Sequence, residues 1–162
     1  MEGKKSTKNS RVILLFGAPC CGKTTFGQNF AKKFNLTFYN LTEMKENNHF
    51  TKKQLHAVLS LIAETGQNLV LEGELDSEKS RNEIRNLFRR AGYTPNLVWI
   101  QTDTVAIKKR LKTRVKTLAE AKQYFETRIA GMEVPSPVEN AIVISGKHTF
   151  ETQTRHVLTG LK

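Results

Sequence analysis

Residues 11–24 read RVILLF followed by GAPCCGKT: an apolar run from Arg11 to Phe16, then Gly17-Ala18-Pro19-Cys20-Cys21-Gly22-Lys23-Thr24. The first six residues are a strand-sized buried run, and the next eight fit G-x-x-x-x-G-K-[ST] at every defined position. Phe26, Phe30 and Phe34 then recur at i, i+4 and i+8, one face of a helix starting near Lys23. Glycine lets the backbone bend so that successive N–H groups point into one concavity at a helix N-terminus, a nest for phosphate. In such a nest Lys23 is expected on the β- and γ-phosphates of a nucleotide, and the Thr24 hydroxyl on one Mg2+ position. Thr25 is expected on the α-phosphate side. Ala18, Pro19, Cys20 and Cys21 fill the unspecified positions, where backbone does the binding.

Outward from this loop, short apolar runs alternate with helical stripes. Strands are expected at 11–16, 36–39, 68–71, 96–100 and 141–144. Helical stripes run through Leu55, Val58, Leu59 and Ile62; through Ile84, Leu87, Phe88 and Ala91; and through Ile107, Leu111, Val115 and Leu118. Two more pass through Ala121, Phe125, Ile129 and Met132, and through Val157, Leu158 and Leu161. Five apolar strands separated by helices imply an α/β fold of three layers, a parallel sheet with helices on both faces. No repeat or linker divides residues 11–162, which are expected to be a single domain behind a disordered basic tail at 1–10.

The 162 residues suit roughly one domain. Hydrophobic residues make up 38% and charged residues 25%, outside the disordered regime. No run approaches a membrane span, and the basic start lacks the apolar core of a signal peptide, so a cytoplasmic location is expected. The two cysteines are adjacent and the four histidines scattered, which argues against a disulfide or a structural metal. The net charge of +11 fits phosphorylated metabolites, nucleotides or nucleic acid as partners, and equally a basic chain with no such message.

From Arg11 onward the chain resembles the small P-loop kinases of the adenylate-kinase-like group, which includes gluconate and shikimate kinases, polynucleotide 5′-hydroxyl kinases and zeta-toxin-like kinases. The resemblance implies a P-loop NTPase fold with strand order 2-3-1-4-5, ATP with Mg2+, and a mobile helical lid. Ligands in open α/β sheets bind outside the carboxyl ends of the strands. There the family carries an acid that takes the acceptor proton, followed by a substrate-binding cation. Glu43 and Lys45 are the candidates, with Thr42 as the alternative register and as a helix cap. Glu72, at the end of the third strand, matches the acid that holds the Mg2+ shell, with Glu74 and Asp76 close enough to substitute. Glutamate offers the same hard oxygens as aspartate.

On a helical wheel Arg110 and Arg114 lie together at the edge of the apolar stripe, while Lys109, Lys112 and Lys116 face solvent. Lids of the family open with R-x-x-x-R, whose guanidinium groups neutralise the transferring phosphoryl group. Arg128 is a further candidate. Gly146, after the fifth strand, corresponds to the turn beside the adenine and permits close backbone approach.

The expected function is transfer of the ATP γ-phosphoryl group to a hydroxyl or phosphate of a small metabolite, nucleoside or nucleotide, by a monomer or weak dimer. The alternatives are a polynucleotide 5′-hydroxyl kinase and a nucleotide-binding module or ATPase without transferase activity. Glutamate in place of aspartate at both strand ends motivates the second. Nucleic acid is not the favoured partner, because aromatics are not interleaved with the basic residues and Trp99 sits in a strand pattern.

Overall fold

The computed structural model describes residues 9–162. Its elements are β1 (Arg11–Phe16), α1 (Lys23–Phe34), β2 (Thr37–Asn40), α2 (Leu41–Asn47), α3 (Lys52–Glu64), β3 (Leu69–Glu72), α4 (Glu78–Arg90), β4 (Thr94–Gln101), α5 (Thr104–Lys112), α6 (Leu118–Ala130), β5 (Ile142–Ser145) and α7 (Phe150–Gly160). The five strands form one parallel sheet in the order β2-β3-β1-β4-β5. The expected class and order both hold.

Alternation along the central strand separates two cores. Val12, Leu14 and Phe16 join Leu41, Leu55, Leu59, Ile84 and Phe88, so α2, α3 and α4 cover one face. Ile13 and Leu15 join Phe26, Phe30, Val70, Val98, Ile144 and Val157, so α1 and α7 cover the other. The rings of Phe26, Phe30 and Phe34 stack along α1 with centroids 5.4 and 4.6 Å apart. Phe26 and Phe30, which are buried, each contribute a few kcal/mol to fixing α1 against the sheet. Among the described residues, no helix is long and apolar enough to cross a membrane.

Three departures from the sequence reading bear on the site. The segment after β2 is a helix, α2, and its N-cap is Asn40, not Thr42: the Asn40 side chain accepts the Glu43 N–H. The stripe from Ile107 to Leu118 is two helices, not one. α5 stops at Lys112, and Thr117 with Glu120 forms a capping box that starts α6 afresh. Leu118 is 68% exposed, so its place in the stripe was a coincidence of spacing. Arg114 consequently lies in the intervening turn, exposed, and not one helical turn beyond Arg110. The expected tail falls outside the described residues at 1–8. Asn9 and Ser10 are already placed, Ser10 Oγ donating to Gly66 O at 2.7 Å and Asn9 Oδ1 accepting from Thr94 Oγ1 at 3.0 Å.

Arg81 is the largest of the fully buried side chains. Its Nε and Nη2 donate to the two oxygens of Glu139 at 2.7 and 2.8 Å, and its Nη1 to the carbonyls of Leu75 and Glu133 at 3.0 and 2.9 Å. The guanidinium plane lies 4.8 Å from the Phe16 ring. Hydrogen bonding from Arg81 holds the Glu139 carboxyl below its ordinary value of 4.5. Removing one member of a buried pair strands the other's charge. Arg81→Met is therefore expected to cost about 3–5 kcal/mol at pH 7, measured by urea unfolding. A folded-state pKa below the unfolded one contributes stability above 4.5, lost as pH falls through the folded value. The gap between wild type and Arg81→Met should therefore narrow in acid.

Candidate functional site

The loop at 17–24 connects the last residue of β1 to the first turn of α1. Gly17 is packed so closely that a Cβ there would lie 2.6 Å from Ile100 O and 2.7 Å from Cys21 Sγ. Gly22, the N-cap of α1, has φ 103° and supplies no side-chain cap. Among the described residues the other six α-helices all have one, from Asn40, Thr51, Ser77, Asp103, Thr117 and Thr149. The N–H groups at the start of α1 are thus left for an external anion.

Carbonyls of the same loop are occupied from outside. Arg110 Nη1 donates to Cys20 O at 3.1 Å and its Nη2 to Gly146 O at 3.2 Å. Thr102 Oγ1 donates to Cys21 O at 3.2 Å. Gly146 closes this corner, for its N–H donates to Gln101 O at 2.7 Å and a Cβ there would be 2.6 Å from Cys21 O. Lys23 Nζ folds over the loop, donating to Gly17 O at 2.7 Å and Ala18 O at 2.9 Å. Cys20 holds φ 60°, while Cys21 is fully buried and its thiol pushed up by that burial, which makes it an inert packing group.

Beside the loop, Glu72 is 3% exposed. Its Oε1 accepts from Thr24 Oγ1 at 2.6 Å and Asn40 Nδ2 at 2.9 Å, and its Oε2 is buried with no partner. Burial raises the Glu72 pKa, and the nearby charge of Glu43 adds to that, against the hydrogen bond from Thr24 and the charge of Lys23. A hydroxyl and a carboxylate in contact, with one carboxylate oxygen unsatisfied, are hard oxygen donors that fit Mg2+. Among the described residues, no cluster of three or more His, Cys, Asp or Glu forms an all-protein metal cage.

Across the carboxyl edge of the sheet, α2 presents Glu43, exposed, and Lys45, whose Nζ is 2.9 Å from Glu74 Oε2. Gly73, at φ 86°, is pressed against Thr42, which fixes α2 to this turn. Arg128 of α6 lies 5.7 Å from the Tyr124 ring, and its pKa is raised by the Tyr124 hydroxyl and by the charges of Asp76 and Glu46. A cavity of about 820 Å³ opens between the loop and the end of α6, walled by Phe16, Ala18, Trp99, Met132 and Val143.

The structure therefore brings together the loop residues Gly17, Ala18, Pro19, Cys20, Cys21, Gly22, Lys23 and Thr24 with Glu72, Arg110 and Gly146. Glu43 is close enough to act on Glu72. Thr25 lies exposed in the first turn of α1. Arg114 does not join Arg110. Asn40 and Thr102 were missed, although an asparagine between an apolar run and a helix is a readable cap signal.

A family model described as an AAA domain matches residues 12–133. No curated protein matches the chain. Among solved structures, the APS kinase of Mycobacterium tuberculosis in complex with AMPPNP and APS superposes with a TM-score of 0.71 at 12% identity, covering 94% of this chain and 97% of that one. A gluconokinase from Sinorhizobium meliloti gives 0.68 at 14% identity, covering 94% and 91%. Kti12 of Chaetomium thermophilum in complex with ADP-AlF3 gives 0.66 at 12%, covering 93% and 99%. At these identities the likeness is one of fold, and the fold is that of P-loop kinase-like proteins.

A raised carboxyl pKa favours the folded state only at low pH. The stability that Glu72 contributes below its ordinary 4.5 is lost as pH rises through its folded value. Denaturant titrations from pH 4 to 8 should show wild type losing stability relative to Glu72→Gln over that interval.

Proposed function

Starting from a chain that belongs to the AAA domain family, we propose that it is an ATP-dependent phosphotransferase passing the γ-phosphoryl group to a small-molecule acceptor. The observation that carries this reading is the juxtaposition of an uncapped α1 N-terminus, Lys23 and the Thr24–Glu72 contact in one loop region. The 17–24 backbone and Lys23 cradle the phosphates, with Thr25 toward the α-phosphate. Thr24 and Glu72 hold Mg2+, which supplies charge neutralisation for the phosphates. Glu43 takes the acceptor's proton; its exposure on the first turn of α2 leaves it free to meet an acceptor.

Arg110 has a role in positioning. Its fork ties the loop to the turn at Gly146, where the adenine would lie, so it orders two parts of the nucleotide site at once. Arg114, in a turn that α5 and α6 bracket, can reach the phosphoryl group only if the lid moves.

A second reading, a nucleotide-binding module without transfer, is favoured by the same Arg110 bonds, since they occupy the guanidinium expected at the transferring group. The two readings part on product. A kinase yields ADP and a phosphorylated acceptor, and a binding module yields neither.

Lys23→Ala is expected to abolish turnover and weaken ATP binding, checked by calorimetry and labelled transfer; retention of a tenth of wild-type transfer would exclude Lys23 from the γ-phosphate. Glu43→Gln should lower turnover by roughly 10²-fold or more at unchanged ATP affinity. Arg110→Lys keeps charge and loses the planar fork, so it should raise KM for ATP and lower turnover, and the carbonyl left without a donor should cost about 1–3 kcal/mol in urea unfolding.

A further inference from the structure

We propose that Asn40 is a positioning residue for the cation site: its side-chain amide holds the Glu72 carboxylate by Oε1, so that Oε2 is the oxygen left for Mg2+. This rests on the reading above that Thr24 and Glu72 hold the ion, and extends it to a residue that acts through Glu72. β2 and β3 run parallel with Asn40 in register beside Glu72, each the last residue of its strand. Side chains at paired positions of neighbouring strands share a face of the sheet. Here they meet, Asn40 Nδ2 donating to Glu72 Oε1 at 2.9 Å. Asn40 Oδ1 accepts the Glu43 N–H at 3.2 Å and caps α2. Only one orientation of the amide serves both neighbours, because the carboxylate needs a donor and the N–H an acceptor.

A cap alone does not require this residue. The other side-chain caps of the described α-helices are Thr51, Ser77, Asp103, Thr117 and Thr149. An aspartate would cap α2 equally well but would set a second carboxylate against Glu72. Of the residues that cap well, only asparagine separates its acceptor from its donor, so that one atom serves the helix and another the carboxylate.

The donors around Glu72, which is 3% exposed, are unevenly spread. Oε1 takes both Thr24 Oγ1, at 2.6 Å, and Asn40, while Oε2 is buried with no partner. Lys23 does not hold this carboxylate by a hydrogen bond, since its Nζ donates to Gly17 O and Ala18 O. The last torsion of a glutamate is broad, and two donors on one oxygen fix it. When Thr24 Oγ1 serves the ion, Asn40 is the donor that still holds Oε1.

The test measures binding of AMPPNP to the full chain by calorimetry across a series of Mg2+ concentrations, so that no turnover is needed. Wild type is expected to bind more tightly as Mg2+ rises. Asn40→Ser keeps a cap for α2 and loses the amide. It should raise the Mg2+ concentration for half of that effect by about tenfold or more, while affinity without Mg2+ stays within about twofold. Thr51→Ala, which removes the cap of α3, should lower the urea-unfolding midpoint and leave the Mg2+ dependence as in wild type. Glu72→Gln should itself weaken the Mg2+ dependence, and adding Asn40→Ser to it should change that dependence by no more than about twofold. A wild-type Mg2+ dependence in Asn40→Ser overturns the role, and so does an equal shift in Thr51→Ala. A full further loss in the Glu72→Gln background overturns its action through Glu72. Binding that ignores Mg2+ in wild type, or keeps its full Mg2+ dependence in Glu72→Gln, overturns the metal assignment and this inference with it, and leaves the phosphate nest standing. No binding of AMPPNP at all overturns the nucleotide site as well.

Discussion

A nest that turns its N–H groups inward must turn its carbonyls outward, and buried carbonyls need donors. That constraint organises the carboxyl end of this sheet. Cys20 O takes Arg110, Cys21 O takes Thr102, and Ala18 O takes both Lys23 and the Cys21 N–H. Each donor comes from a different part of the fold: α5, the end of β4, and the loop itself. The short approach of Gly146 to Cys21 O locks the β5–α7 turn to the same spot. The anion site is rigid because satisfying its reverse side fastens three elements to it, at a loss of about 1–3 kcal/mol for each carbonyl left bare.

A second anchor stands behind the first. Phe16 is the residue before the loop, and its ring lies between the Arg81 guanidinium and Trp99, whose ring centroid is 6.3 Å away. Arg81 in turn holds Glu139 and Glu133 O, and Glu133 closes onto α4 by accepting the Glu78 N–H and donating its own N–H to Asp76 O. The chain leaving α6 is therefore pinned next to the turn that carries Glu74 and Asp76. The last turn of α5 is pinned by Arg110. Between those two points α6 buries only Ala121. A helix so weakly packed between two firm attachments has few contacts to lose in moving away from the sheet, which suits the lid that the proposed kinase reading calls for.

Legibility followed the range of the interactions. β1, the loop and the α1 stripe are local patterns with strong periodicity, and the structure places β1 at the same residues. The strand order came through the family resemblance, since pairing in a parallel sheet has no local signal. Where two local signals compete, the stronger one decides the structure. Val115 and Leu118 continue an apolar spacing, but Thr117 and Glu120 restart the helix, and capping overrode periodicity. Arg81 and Glu139, 58 residues apart, left no trace, because a charged residue in a helix reads as solvated until its partner is known. The same holds for the pairing of Lys45 with Glu74, 29 residues away, which no local pattern announces.

These arrangements divide the electrostatic work by distance. The exposed lysines of α5 and α6, among them Lys109, Lys112 and Lys122, contribute to a field felt over roughly 8 Å at physiological salt, enough to gather a polyanion such as ATP and too diffuse to orient it. Orientation falls to groups that act at contact, the inward N–H groups and Lys23. The carboxylates of α2 and the β3–α4 turn act at the same short range with the opposite sign. ATP affinity should fall as salt screens the outer lysines, while Lys23, partly buried against the loop carbonyls, is screened far less.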